Sequence, residues 1–194
     1  MIRRSLPALI LAMPMLAQAP APAPVANPVL KIVTNYGVMT VELDAAAAPK
    51  TVANFLRYVK EGHFKGTVFH RVIDGFMIQG GGLNENLDQK PAHDGIANET
   101  ASALAAGLHN TRGTIALART SDPNSGADQF YINIVDNSAS LDGGSYCPFG
   151  RVIAGMEVAD AIAKVRTGFQ KGMSNVPDFP VRIKDVQLVK TDAR

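Results

Sequence analysis

Apolar and polar residues alternate from Val29 to Val33 and from Val38 to Leu43, the period of strands with one buried face. Asn35-Tyr36-Gly37 between them predicts a hairpin. The period then changes. Pro49 sits where the first helical turn tolerates it, and Val52, Phe55, Leu56 and Val59 follow at helical spacing until Gly62 stops the run. A second helix is predicted from Gly155 to Val165, on Met156, Val158, Ala159, Ile162 and Val165. Thr114 to Arg119 and Gln129 to Val135 read as strands. Pro180 to Val189 reads as the closing strand, with Val181, Ile183, Val186 and Leu188 showing one break in parity. Asn84 to Asn98 is a polar loop, and no segment repeats. Many short strands with two helices between them predict a closed antiparallel barrel, which leaves no long edge exposed.

The segment Val68 to Gly82 organises this pattern. It reads as two short apolar strands joined at Asp74-Gly75, a strong hairpin signal. Strict alternation places Arg71 on one face with Phe69 and Ile73, and His70 on the other with Val68 and Val72. Both faces are apolar, so Arg71 is either paired or functional: its guanidinium stays charged and is costly to bury alone. Gln79 supplies an amide on the returning strand, and Gly80-Gly81-Gly82 permits a bend or a close approach. A structural ion pair of Arg71 with Asp74 or Glu99 is the alternative reading.

Composition adds an address. Arg3 and Arg4, the apolar run Leu6 to Leu16 and Ala17-Gln18-Ala19 follow the plan of a secretory signal peptide. Cleavage is expected after one of the alanines from Ala19 to Ala23 or after Ala26, an uncleaved membrane anchor being the alternative. Ala19 to Pro28 alternates alanine and proline and reads as a spacer. The domains are therefore a signal and spacer over residues 1–26 and one globular domain over residues 27–194, of ordinary single-domain size. Apart from Arg3 and Arg4, basic and acidic residues both number 17. No basic run argues for nucleic acid or an acidic membrane surface. His63, His70, His93 and His109 lack a compact metal-ligand spacing, and the glycine triplet lacks the lysine and hydroxyl of a phosphate loop. Cys147 is the single cysteine, so no internal disulfide forms. It is read as half-buried and inert, with oxidation at an exposed rim the alternative. Ser121, Ser125, Ser138 and Ser140 lack a histidine partner or nucleophile-elbow motif, which argues against a hydrolase.

The order Phe69-His70-Arg71, two β-branched residues, a turn, Gly75-Phe76-Met77, one residue and Gln79-Gly80-Gly81 resembles the signature of the cyclophilin family of peptidyl-prolyl isomerases. The resemblance continues through Thr111-Arg112-Gly113-Thr114-Ile115-Ala116-Leu117-Ala118-Arg119, Gln129-Phe130-Tyr131-Ile132-Asn133, Leu141-Asp142-Gly143 and Phe149-Gly150-Arg151-Val152. Its bacterial secreted branch is the most similar. The resemblance implies an eight-stranded antiparallel barrel capped by two α-helices. It also implies a cofactor-independent prolyl cis/trans isomerase, exported to the periplasm and acting on proline-containing segments of folding proteins. A proline-binding chaperone or adaptor with little catalysis is the alternative.

The residue roles come from the same resemblance. Arg71 and Gln79 are the catalytic pair. Phe76, Met77, Tyr131 and Leu141 line the proline pocket, Ala118 flanks the substrate backbone, Gln129 steadies it, and Tyr146 stands where many members have histidine. Tyr131 replaces the usual phenylalanine and brings a hydroxyl that needs a partner. Ser140 precedes Leu141 where many eukaryotic members have tryptophan, a residue this chain lacks entirely, so weak cyclosporin binding is expected. A monomer is expected because the fold closes its own edges.

Overall fold

The structure is a computed structural model that describes residues 27–189; residues 1–26, read as signal and spacer, lie outside the described residues. Eight strands close into an antiparallel barrel. They are β1 (Val29–Thr34), β2 (Val38–Leu43), β3 (Thr67–Ile73), β4 (Met77–Asn84), β5 (Thr114–Leu117), β6 (Phe130–Asn133), β7 (Pro148–Ala154) and β10 (Arg182–Leu188), in the order β1-β10-β3-β4-β6-β5-β7-β2. The remaining pair, β8 (Thr167–Gln170) and β9 (Met173–Pro177), forms a separate hairpin. The predicted helices are α1 (Pro49–Lys60) and α4 (Met156–Ala163); two shorter ones, α2 (Thr100–Ala105) and α3 (Ser138–Leu141), were not expected from the pattern.

Alternation on the barrel strands creates two apolar regions. Ile78, Ile115, Leu117, Phe130 and Ile132 face inward and join the main core, which also receives Val52 and Phe55 from α1 and Ala159 and Ile162 from α4. The intervening residues Met77, Ala116 and Tyr131 belong to a second cluster on the outer face. Phe130 anchors the main core. It meets Phe55, Phe64 and Phe69 edge to face, with ring centroids 5.4, 5.6 and 5.9 Å away.

Two bulges decide which residues point where. The parity break seen in the closing strand is real: Val33 pairs with Asp185 and Thr34 with Ile183, so Lys184 is the extra residue. Ile183 and Val186 thereby both face the core, whereas Leu188, also part of the alternating pattern, is exposed. On β3, Phe69 pairs with Gly80 but Arg71 pairs with Gln79, so His70 is extra. This corrects the strict alternation. Phe69 and Val72 both enter the main core, and Arg71 turns to the opposite, outer face.

Neither acid proposed as a partner for Arg71 serves it. Asp74 pairs with Lys164 Nζ at 2.8 Å. Glu99 instead caps α1, whose own N-cap residue, Ala48, provides no side-chain bond. Its carboxylate accepts the Lys50 and Thr51 backbone N–H groups at 3.0 and 2.8 Å and the Thr51 hydroxyl at 2.9 Å. An acid there meets unsatisfied donors and the positive end of the helix dipole.

His70, the bulged residue, is buried, and its Nδ1 has no hydrogen-bond partner among the described residues. Burial, with the adjacent Arg71 charge behind it, pushes its pKa down to about 4. The folded-state value lies below the unfolded value of ~6.5, so protonation favours the unfolded chain. Stability held by this group is complete above pH ~6.5 and declines towards pH ~4, by up to about 3 kcal/mol. Urea midpoints measured across that window fall for the parent and fall less for His70→Gln; equal slopes would remove His70 as the cause.

Candidate active site

One register row crosses four strands on the outer face of the barrel. Arg71 of β3 pairs with Gln79 of β4, Gln79 with Tyr131 of β6, and Tyr131 with Ala116 of β5. Opposed residues on paired strands lie roughly 4.5–5.5 Å apart, so the backbone ladder fixes this line of side chains. The β3 bulge brings Arg71 into it. Gly81, with φ of +102°, and Gly82 make room beside the row. A Cβ on Gly81 would lie 2.6 Å from the Asp128 carbonyl oxygen, and one on Gly82 would lie 2.5 Å from Gln129 Cγ.

Arg71 is half-buried and, among the described residues, meets no carboxylate. Its Nη1 donates to Gln79 Oε1 at a long 3.4 Å. Gln79 Nε2 donates in turn to Gln129 Oε1 at 3.0 Å. This order sets the orientation of the Gln79 amide, with its oxygen towards the guanidinium. The remaining guanidinium donors are available to an incoming acceptor.

Beside the guanidinium is a hollow of about 170 Å³. Phe76, Met77, Tyr131, Leu141, Ala118 and Tyr146 line it together with Arg71 and Gln79. Eight of the nine residues singled out in the sequence therefore share one hollow. The ninth, Gln129, stands behind Gln79 and lines a wider depression of about 650 Å³. The two hollows share Gln79, Ala118 and Arg119, so they form one continuous groove.

Sequence reasoning gave Arg119 and Asn110 no role. The Arg119 guanidinium lies 4.3 Å from the Tyr146 ring centroid, a cation–π distance. It also donates to the Ser145 and Gly144 carbonyls, so it holds the loop that presents Tyr146. Its position directly after Ala118 in a quoted motif was the available signal. The Tyr131 hydroxyl, which needed a partner, donates to Asn110 Oδ1 at 2.8 Å. Burial raises the Tyr131 pKa, so the phenol stays neutral.

The histidines are dispersed. His63 meets Asp128 at 3.0 Å, His93 meets Glu61 at 2.8 Å and His109 meets Asp142 at 2.8 Å. Cys147 is deeply buried rather than half-buried, and burial pushes its thiol up to about 11. The groove thus offers a charged donor beside a small apolar cup, an arrangement suited to holding a small ring and hydrogen-bonding a neutral atom at its edge.

A family model described as cyclophilin type peptidyl-prolyl cis-trans isomerase matches residues 29–188. The chain is similar to peptidyl-prolyl cis-trans isomerase A of Dickeya dadantii, with 41% identity over 194 residues covering 98% of this chain and 100% of that protein. It is 45% identical over 161 residues to peptidyl-prolyl cis-trans isomerase B of Escherichia coli, covering 80% of this chain and 96% of that one. A crystal structure of a Cryptosporidium parvum cyclophilin type peptidyl-prolyl cis-trans isomerase, determined in the presence of the dipeptide Ala-Pro, superposes with a TM-score of 0.65 at 30% identity. The superposition covers 84% of this chain and 99% of that one.

Proposed function

The chain belongs to the cyclophilin family and is a peptidyl-prolyl cis-trans isomerase, and from that premise we propose that it acts outside the cytoplasm on proline-containing segments of exported proteins as they fold. The observation that carries the assignment of roles is the half-buried Arg71, held by a neutral amide at the mouth of an apolar cup.

Rotation about an Xaa-Pro bond faces a barrier of ~18–20 kcal/mol because the amide loses resonance. In the twisted state the proline nitrogen becomes pyramidal and regains its lone pair. Arg71 donates to that nitrogen, a bond either planar form makes poorly, and so favours the transition state over both ground states. The apolar walls of Phe76, Met77, Tyr131 and Leu141 hold the ring and exclude water. The planar amide is the more dipolar form, so desolvation disfavours it relative to the twisted one. Gln79 and Gln129 hold the substrate backbone along the groove, and Ala118 leaves space for it. All of these steps use side chains of this chain alone, without a cofactor.

The export part of the reading is supported by the basic, apolar and small-residue order of residues 1–19. Closure of the barrel edges supports a monomer, and Ser140 before Leu141 supports weak cyclosporin binding. The test combines fractionation of cells carrying the full chain with a refolding assay. The chain is expected in the periplasmic fraction, processed before Asn27. The recovered protein is expected to accelerate the proline-limited phase of an exported protein in proportion to its concentration. Recovery in the cytoplasm with an intact N-terminus would overturn the export reading, and an unaccelerated phase would overturn the folding role.

A further inference from the structure

Behind the cup lies a fully buried asparagine with every side-chain hydrogen-bonding position used. Asn110 Oδ1 accepts from the Tyr131 hydroxyl at 2.8 Å and from Asn133 Nδ2 at 3.3 Å. Its Nδ2 donates to Asp142 Oδ1 at 2.8 Å and to the Tyr146 carbonyl at 2.9 Å. Its backbone N–H donates to Asp142 Oδ1 at 3.0 Å, and its carbonyl accepts from the Asn137 N–H at 2.9 Å. Asn137 extends the network: its Nδ2 reaches the Phe76 carbonyl at 2.9 Å and Asn133 Oδ1 at 2.8 Å, while its own carbonyl accepts the Leu141 N–H at 2.9 Å. Phe76, Tyr131 and the Leu141–Tyr146 segment come from three separate places in the chain, and each is tied to this pair of asparagines.

We propose that Asn110 is the positioning residue of the proline pocket, joining the Tyr131 wall to the Leu141 and Tyr146 walls and so setting the width of the cup. Three facts distinguish this from ordinary core satisfaction. The network serves walls of the cup, not of the barrel core. An amide is needed, because the site presents two donors on one side and two acceptors on the other. The Tyr131 hydroxyl, absent from the phenylalanine usual at this position, uses one of the four positions. Arg71 bonds to Gln79 and has no bond in the network. Loss of Asn110 therefore weakens ring binding and leaves the donor in place.

The proposal rests on the reading of the hollow as the proline pocket, and the experiment separates the two. Catalysed exchange of a short Ala-Pro peptide is followed by NMR over a range of peptide concentrations for the full chain, Asn110→Asp, Tyr131→Phe, Asn137→Ala and Glu99→Gln. Asn110→Asp keeps the volume but loses both donors and faces Asp142 with a second carboxylate. It is expected to raise KM about tenfold with kcat within about threefold, since each lost buried hydrogen bond weakens the wall it held. Tyr131→Phe and Asn137→Ala each break a different link and are expected to raise KM about two- to threefold. They keep the test open if Asn110→Asp does not fold. Combined with Asn110→Asp, Tyr131→Phe is expected to add less in log KM than it does alone, because both remove one link. Glu99→Gln weakens the α1 cap without removing any hydrogen bond of Asn110 or Asn137 and is expected to leave KM unchanged. A parent that does not accelerate exchange overturns the pocket reading. An active parent with unchanged KM in the network variants, or with an equal rise in Glu99→Gln, overturns the role of Asn110.

Discussion

Arg71→Ala is expected to slow catalysed exchange of an Ala-Pro peptide by about 10- to 100-fold while peptide affinity changes little. A hydrogen bond to a charged donor is worth about 1.5–3 kcal/mol, and ~1.4 kcal/mol of barrier is a factor of ten in rate. The bond forms only as the nitrogen becomes pyramidal, so its loss falls on kcat and on kcat/KM together. The cup is expected to keep its shape because the Arg71 guanidinium bonds to Gln79, while the Tyr131 wall is held by Asn110. The contribution of the Phe76, Met77, Tyr131 and Leu141 walls through orientation and desolvation is the residual activity of the variant. NMR exchange at saturating peptide measures the rate, and a titration measures binding. A variant as fast as the parent would remove Arg71 as the donor, and weakened binding with kcat preserved would make Arg71 a ground-state contact.

Phe130→Ala is expected to have the largest effect on stability, a loss of about 3–5 kcal/mol in urea unfolding. The ring is fully buried at the meeting point of Phe55, Phe64 and Phe69, and these come from α1, the following turn and β3. Barrel walls and a helix cannot collapse together onto the space left behind, so both the transfer and cavity contributions are lost. Phe130 also stands between Gln129 and Tyr131, and Gly81 packs against its ring. Activity per folded molecule is therefore expected to fall as well. A loss below about 1.5 kcal/mol would mean that the site refills.

Most of the barrel was legible because its strands have one inward face and alternate accordingly. Even the odd parity of the closing strand was visible, and it marks the Lys184 bulge. The bulge at His70 was not visible: Phe69-His70-Arg71 reads as regular alternation, and only the partner strand, with Gly80 and Gln79 opposite, reveals the extra residue. β7 was quoted as a motif but not read as a strand, because Pro148 and Gly150 interrupt its pattern. The β8–β9 hairpin turns at Lys171 and Gly172, both at positive φ, and the lysine concealed a turn that Asn-Gly would have announced. The nine residues singled out for the site came from the resemblance, and two of them also stood out physically: Arg71, a charge among apolar residues, and Gln79, the amide opposite it. Asn110 and Glu99 were beyond local reading, because their partners lie 21 to 36 and 48 to 49 residues away.

The row that carries Arg71, Gln79, Tyr131 and Ala116 draws on four strands, two of them distant in sequence from the hairpin that holds the arginine. It is complete only when β5 and β6 have joined that hairpin. A copy in which β4, β6 and β5 have not yet joined has the donor without the cup, and is expected not to hasten proline-limited steps. Any help at that stage comes from copies that have already finished folding. Recovery of activity after denaturation thus reports the joining of β4 to β6 and β6 to β5, and near the end of refolding the process can feed on its own product.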